Sequence, residues 1–191
     1  MSADANRLSI DPILGLARGV PFLASPHCDE RPPGCAIELL VIHAISLPAG
    51  RYGGDDVIAL FLGQLDCRRP DYADLAGLRV SAHFFIRRDG RLTQFVPIRR
   101  RAWHAGASRF GQRERCNDFS VGIELEGCDH DAFTADQYTT LIALTRALRA
   151  ACPAIGADRI VGHSDIAPGR KTDPGPHFDW ARYRAGLLHT P

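Results

Sequence analysis

Two long apolar segments constrain the fold more than any other feature of this chain. Residues 36–45 read AIELLVIHAI and residues 119–126 read FSVGIELE, and both are rich in branched or aromatic side chains. A run that is apolar at nearly every position is typical of a strand buried on both faces of a sheet. We therefore predict a central sheet whose two faces are covered by other parts of the chain.

Shorter patterns predict the elements around these two strands. The pair Asp89-Gly90 lies between two alternating runs, which predicts a hairpin with a two-residue loop. Thr134 followed by Gln137 matches a capping box and predicts the start of a helix. The other predicted elements are a short helix over 55–65, a strand over 159–162, an irregular run over 163–177 and a last helix over about 179–187. Because strands and helices interleave around at least one hairpin, we predict a mixed α/β fold with helices packed on a mixed sheet.

Composition and charge exclude several function classes. The 191 residues include 23 Lys and Arg against 22 Asp and Glu, a formal net charge of +1 that argues against a nucleic-acid-binding surface. Charged residues interrupt every apolar stretch among the first 25 residues, so we expect neither a signal peptide nor a membrane span. Six cysteines occur without a Cys-x-x-Cys pair. Their even number would permit disulfides, but without an export signal we expect reduced thiols and a cytoplasmic location.

Three residues form a candidate metal site. His43 lies near the end of the first buried strand, His163 directly follows the last strand, and Asp173 lies in a proline-rich loop beyond it. Side chains at strand ends converge from distant parts of a chain, and two imidazoles with a carboxylate suit Zn²⁺ while leaving a fourth position for water. By itself the pattern also fits hydrogen-bonded structural histidines and an Asp that forms a turn before Pro174.

Five motifs relate the chain to a known family. In order, they are VIHAIS (41–46), SAHFFIRRDG (81–90), RAWHAG (101–106), RCNDFSVGIELEG (115–127) and GHSDIAPGRKTDPGP (162–176). Together they resemble the zinc N-acetylmuramoyl-L-alanine amidases of the peptidoglycan-recognition fold, and among them the cytoplasmic amidases that recycle 1,6-anhydro-muramyl peptides. The resemblance implies a mixed sheet with about three main helices, a zinc at its open face and a groove for a muropeptide. It extends over most of a single domain, with an N-terminal arm over about 1–25 and a catalytic core over about 26–185.

The resemblance also assigns roles to five residues. The metal ligands fall on His43, His163 and Asp173, the catalytic carboxylate on Glu124 and the catalytic lysine on Lys171, the only lysine in the chain. Zinc activates water for amide hydrolysis, a neighbouring carboxylate transfers the proton to the leaving amine, and an ammonium stabilises the oxyanion. Strand alternation places Glu126 on the same face as Glu124, so the pattern alone leaves the choice between them open, and only the resemblance selects Glu124.

Five further positions are candidates for substrate contacts. Arg79 and Arg115 could pair with carboxylates of the stem peptide, and Trp103 offers a flat surface for a sugar ring. His104 could line the groove or, like His83, support a metal ligand from behind. Asn117 could contact substrate or form a turn. Packing and solvent exposure explain each of these positions equally well, so their roles stay open.

One residue departs from the family pattern, and two other functions are alternatives to the recycling amidase. Ala44 follows the first metal histidine, where recycling amidases commonly carry Asn, so the preference for the anhydro sugar is the least supported part. A domain that binds muropeptides without cleaving them would be expected to lack a ligand, whereas all three ligands are present. A periplasmic or lytic amidase would be expected to carry an export signal. We therefore predict a monomeric, zinc-dependent muropeptide amidase.

Overall fold

The structure is a computed structural model that describes residues 8–188. Its strands are β1 (Cys28–Glu30), β2 (Leu39–Ile45), β3 (Phe84–Ile86), β4 (Leu92–Gln94), β5 (Arg100–Ala102), β6 (Arg109–Phe110), β7 (Arg113–Glu114), β8 (Ser120–Glu126) and β9 (Ile160–Gly162). Its helices are α1 (Asp56–Phe61), α2 (Ala135–Ala151), α3 (His163–Ile166) and α4 (Trp180–Leu188), with short 3₁₀ turns at Pro70–Leu75, Cys116–Asp118 and Ala157–Arg159.

Five strands form the central sheet in the order β4-β3-β8-β2-β9. β3, β8, β2 and β9 run parallel, and β4 pairs antiparallel with β3 at one edge. The two segments predicted as buried strands are β2 and β8, which are neighbouring interior strands of this sheet. The predicted mixed α/β fold is therefore confirmed.

One face of the sheet packs against α2 and α4. Leu40 and Ile42 of β2 and Ile123 of β8 are fully buried there, with Leu144 of α2 and Tyr183 of α4. This single apolar layer anchors the strands, since burial of apolar surface is the main favourable contribution to folding.

Helix α2 begins where the sequence predicts. The Thr134 side chain accepts a hydrogen bond from the Gln137 backbone N–H, and the Gln137 side chain accepts one from the Thr134 backbone N–H. This capping box satisfies two backbone donors that a helix start would otherwise leave unpaired.

The opposite face of the sheet carries the polar residues. Leu39 and Val41 of β2 pack there in a smaller apolar cluster, and His43 continues the same alternation. On β8, Glu124 and Glu126 point to this face too, because Ile123 and Leu125 point toward α2. The candidate site therefore lies on the face that the long helices leave uncovered.

The predicted two-residue hairpin loop is wrong by one residue. β3 and β4 pair as expected, but Arg87 and Arg91 still pair through a backbone hydrogen bond, and Gly90 donates to the Arg87 carbonyl. Gly90 has a φ of 80° and Asp89 does not share this left-handed conformation. A two-residue loop of the predicted type needs positive φ at both positions, so the chain forms the three-residue alternative, a turn followed by a bulged glycine.

Helix α1 is shorter than predicted because Gly63 terminates it. Gly63 has a φ of 68°, and its N–H donates to the carbonyl of Leu60 while Gln64 donates to that of Ala59. These two bonds form a Schellman motif, which closes a helix at a left-handed glycine. The sequence contains this signal, and the predicted boundary at residue 65 overlooked it.

The segment before β1 packs along the sheet edge. Leu23 and Ser25 donate backbone hydrogen bonds to Gln94 and Phe95, and the Gln94 side chain contacts the backbone of Gly15 and Ala17. Residues 1–7 of the predicted N-terminal arm lie outside the described residues.

Among residues 8–188, no helix is long and apolar enough to cross a membrane. The six cysteines are free.

Candidate metal centre and active site

Parallel pairing of β2 with β9 brings the two histidines together. Ile42 of β2 pairs with Gly162 of β9. The next residues along the two strands are His43 and His163, which therefore lie side by side at the same end of the sheet. His163 is also the first residue of α3. Asp173 is held next to the two histidines because the Ser164 N–H donates a 3.0 Å hydrogen bond to the Asp173 backbone carbonyl.

The three predicted ligands form one compact cluster. His43 Nδ1 lies 3.0 Å from His163 Nδ1, and Asp173 Oδ2 lies 3.1 Å from each of these nitrogens. Ligand atoms at about 2.0–2.1 Å from a tetrahedral zinc lie about 3.3 Å from one another, close to the separations found here. The donor set and its spacing therefore fit a metal ion of this kind, and three protein ligands leave the fourth position of a tetrahedral zinc for water.

The outer nitrogen Nε2 of each histidine has a hydrogen-bond partner. His163 Nε2 lies 3.1 Å from the Ala105 carbonyl, to which it donates a hydrogen bond. His43 Nε2 lies 2.9 Å from His104 Nδ1. An N–H donated from Nε2 leaves the lone pair on Nδ1 for a metal, the usual arrangement behind metal-bound histidines.

The ionisation states also suit a metal. Burial lowers the pKa of His43 to about 4, so the imidazole is neutral near pH 7 and its lone pair is available. Burial acts to raise the pKa of Asp173, but the contacts with His163 and His43 outweigh it and hold that pKa well below its usual range. The cluster thus offers the neutral imidazole of His43 and a carboxylate oxygen of Asp173.

Glu124 lies beside this cluster in a different environment from Glu126. In the sheet, Glu124 is the register partner of His43. Its Oε2 is buried without a hydrogen-bond partner among residues 8–188, and burial together with the charge of Asp173 raises its pKa well above the usual value. Both oxygens of Glu126 instead accept backbone N–H groups, from Gly53 at 2.6 Å and Arg88 at 2.9 Å. Glu124 therefore has an unsatisfied oxygen available for chemistry, whereas Glu126 holds two loops.

Lys171 is exposed in the loop between α3 and Asp173. Its backbone N–H donates to the Ala167 carbonyl at 3.1 Å, which ties this loop to the end of α3. Its ammonium charge acts to lower the pKa of both Glu124 and His43. A positive charge in this position can interact with negative charge that develops at the cluster.

The predicted substrate residues occupy several different environments. Arg115 is exposed, has a left-handed backbone conformation and lines a cleft together with Arg170. Arg79 lines a separate cleft beside His27. The half-buried Trp103 stacks on His27 at 6.1 Å between ring centroids and donates to Asp29. These placements leave the substrate roles of Arg79, Trp103 and Arg115 as predictions.

His104 and Asn117 lie directly behind the cluster of His43, His163 and Asp173. His104 is buried against His43, the supporting position that the sequence left as one of two options. Asn117 Oδ1 accepts the backbone N–H groups of His104 and Ala105, at 3.1 and 2.8 Å. The side-chain oxygen of Asn117 therefore holds residues 104 and 105 in place. The predicted contact of Asn117 with substrate stays a prediction, and it would have to come from the side-chain nitrogen.

Sequence reasoning missed two arginines that support the site. Arg170 donates to the carbonyls of Ala105 and Ala107, each at 2.7 Å. Arg31 is partly buried and donates to four backbone carbonyls, those of Ile98, Asn117, Asp118 and Ser120. Only the position of Arg170 next to Lys171 in a matched motif could have suggested a role, because backbone carbonyls as partners leave no pattern in the sequence.

Comparison with known proteins agrees with this geometry. The family model described as N-acetylmuramoyl-L-alanine amidase matches residues 33–176. The chain is 58% identical over 170 residues to the 1,6-anhydro-N-acetylmuramyl-L-alanine amidase AmpD of Salmonella typhimurium, covering 88% of this chain and 89% of that protein.

Solved structures show the same fold. A crystal structure of a selenomethionine AmpD derivative superposes with a TM-score of 0.89 at 53% identity, covering 93% of this chain and 98% of that one. The Escherichia coli amidase AmiD, in a complex with the substrate anhydro-N-acetylmuramic acid-L-Ala-D-γ-Glu-L-Lys, gives a TM-score of 0.60 at 29% identity, covering 82% of this chain and 60% of that one. The chain belongs to the N-acetylmuramoyl-L-alanine amidase family.

Proposed function

We propose that this protein is a zinc-dependent amidase that hydrolyses the bond between the lactyl group of 1,6-anhydro-N-acetylmuramic acid and L-alanine. The observation that carries the proposal is the cluster of His43, His163 and Asp173 with the unpaired oxygen of Glu124 on the neighbouring strand. A site of this composition, in a chain of this family, is suited to amide hydrolysis.

The positions of the residues support the following proposed roles. His43, His163 and Asp173 would hold zinc, which when bound activates water and polarises the scissile carbonyl. Glu124 accepts a proton from the attacking water at its buried, unpaired Oε2 and returns it to the amino group of the leaving L-alanine. The Lys171 ammonium stabilises the negative charge that develops on the carbonyl oxygen.

The substrate is proposed from the relatives. AmpD of Salmonella typhimurium is named for 1,6-anhydro-N-acetylmuramyl-L-alanine, and AmiD was solved with an anhydromuramyl tripeptide. In this protein, Arg79 and Arg115 would pair with carboxylates of the stem peptide, and Trp103 would support the sugar.

Ala44 packs in the apolar layer toward α2, so its side chain lies on the opposite face of β2 from His43. We further propose that residues 1–191 form one domain that acts as a cytoplasmic monomer in cell-wall recycling.

The decisive experiment tests reaction and substrate together. Purified protein with zinc is given 1,6-anhydro-muramyl tripeptide or the matching N-acetylmuramyl tripeptide with a free reducing end, and products are identified by mass spectrometry. We expect release of the free tripeptide, faster from the anhydro compound, and loss of turnover on chelation that zinc restores. Binding without cleavage would leave only a muropeptide-binding domain, and turnover that survives chelation would exclude the metal.

A further inference from the structure

His104 stands out among the buried polar residues because both of its ring nitrogens have partners. Nδ1 lies 2.9 Å from Nε2 of the metal-cluster residue His43, and Nε2 lies 3.1 Å from the Ser120 hydroxyl. The ring is buried, and burial favours the neutral form of an imidazole. A neutral imidazole carries one proton, so it donates on one side and accepts on the other.

The direction of this hydrogen-bond chain determines whether His43 can bind a metal. If His104 carries its proton on Nε2, it donates to Ser120 and accepts from His43 Nε2, which leaves the His43 Nδ1 lone pair free. If the chain runs the other way, His104 donates from Nδ1, and His43 must carry its own proton on Nδ1, the nitrogen that faces His163 and Asp173. Only the first direction is compatible with the cluster as a metal site.

The structure holds the His104 ring tightly in this position. An added Cβ on Gly122 would lie 2.5 Å from the ring, so the glycine leaves the space that the imidazole fills. Asn117 fixes the backbone at His104 and Ala105 by accepting both N–H groups. Because the Ala105 carbonyl accepts from His163 Nε2, this one dipeptide supplies the outer partner of both metal histidines.

We propose that His104 is a positioning residue that selects Nδ1 of His43 as the metal-binding nitrogen, by accepting a hydrogen bond from its Nε2–H. It touches neither substrate nor metal and acts through His43. The inference rests on the proposed metal site. Outer-layer partners of this kind typically contribute about 10–100-fold in metal affinity.

Zinc affinity of matched variants tests the proposal. His104→Phe keeps a ring of similar shape without an acceptor, and His104→Asn restores an acceptor oxygen close to the former Nδ1. By competition with a chromogenic chelator, we expect zinc affinity about 10–100-fold weaker in His104→Phe and an intermediate affinity in His104→Asn. His83→Phe is the control: His83 is also buried and its ring lies 5.7 Å from that of His104, but its nitrogens bond to Gly122, Arg100 and Arg31 and not to His43. It should bind zinc as the wild type does.

Nitrogen-15 NMR of the zinc-loaded wild type tests the same point without any substitution. We expect a proton on Nε2 of both His43 and His104 and none on His104 Nδ1. A proton on His104 Nδ1, wild-type zinc affinity in folded His104→Phe, or equal losses in His104→Phe and His83→Phe would each overturn the proposal. Failure of the wild type to bind zinc would instead overturn the proposed function, so the two failures are distinguishable.

Discussion

Glu124 and Glu126 show how the surroundings of a residue can separate two side chains that the sequence pattern treats alike. Both point to the same face of β8 and both are buried. Glu126 accepts backbone N–H groups with each oxygen, whereas one oxygen of Glu124 has no partner among residues 8–188. An unpaired buried carboxylate oxygen is costly to stability, and such groups cluster at functional sites.

The first prediction compares Glu124→Gln with Glu126→Gln. We expect the Glu124 variant to keep its zinc and lose about 10²–10⁴-fold in kcat, because Gln cannot transfer the proton. The Glu126 variant should keep most of its turnover and melt at a lower temperature, because an amide NH₂ replaces one acceptor of a backbone N–H. Steady-state kinetics, bound zinc by mass spectrometry and thermal melts give the three readouts. Equal losses of turnover in the two variants would refute the role of Glu124.

At the scale of elements, strand β8 approaches the His104 ring through a residue without a side chain. Gly122 lies between the apolar layer under α2 and this ring, and an added methyl group would meet His104 Cγ at 2.5 Å. The strand is an interior one, with β3 and β2 paired on either side of it, so it cannot move away.

The second prediction follows from this close approach. Gly122→Ala should destabilise the fold by about 1–3 kcal/mol through overpacking and should weaken zinc binding, because the displaced His104 ring leaves His43. The control is Gly54→Ala, at a glycine without positive φ where nothing lies within 4 Å of the added carbon. Denaturant unfolding and zinc competition measure both effects. Wild-type zinc affinity in a destabilised Gly122→Ala would show that the ring and the metal site are independent.

The third prediction concerns the start of α2. Thr134→Ala removes the cap on the Gln137 N–H and a 2.7 Å hydrogen bond to the Arg88 carbonyl, so we expect a loss of about 0.5–2 kcal/mol in unfolding free energy. Thr139→Ala on the same helix removes only an exposed hydroxyl that bonds to the Ala135 carbonyl and should change stability little. Urea unfolding followed by circular dichroism compares the two variants. A larger loss in Thr139→Ala would contradict the assigned cap.

At the scale of the whole molecule, the cluster of His43, His163 and Asp173 connects two distant parts of the chain. His43 lies on β2, His163 begins α3, and Asp173 lies in the loop beyond it. A metal that binds these residues only in the folded state adds its binding free energy to the stability of the whole domain.

The fourth prediction is a zinc-dependent rise in Tm. At a free zinc concentration 100 times the Kd, the folded state should gain about 2.7 kcal/mol, and for a chain of this length each kcal/mol raises Tm by roughly 2–4 °C. Differential scanning calorimetry across a zinc titration measures the shift. Asp173→Ala should show no rise in Tm at the same zinc concentrations, and a rise equal to that of the wild type would place the stabilising metal elsewhere.

Local patterns in the sequence predicted most of the architecture and the three residues that form the candidate metal cluster. The apolar runs in β2 and β8 and the Thr134 capping box depend on neighbouring residues, so they can be recognised before any tertiary contact is known. The positions of His43 and His163 at strand ends follow from the same patterns. The boundary of α1 was also encoded in the sequence, at Gly63.

Only the tertiary structure decided which side chains support these ligands. Strand alternation places Glu124 and Glu126 on one face, and the contacts of Gly53 and Arg88 with Glu126 distinguish them. The sequence left His104 with two possible roles, and the structure brings its ring within hydrogen-bond distance of His43. Arg31 carries no recognisable sequence signal because its partners are backbone carbonyls, which every residue has. The sequence therefore determined the strands and the donor types, while packing between distant segments determined their chemical surroundings.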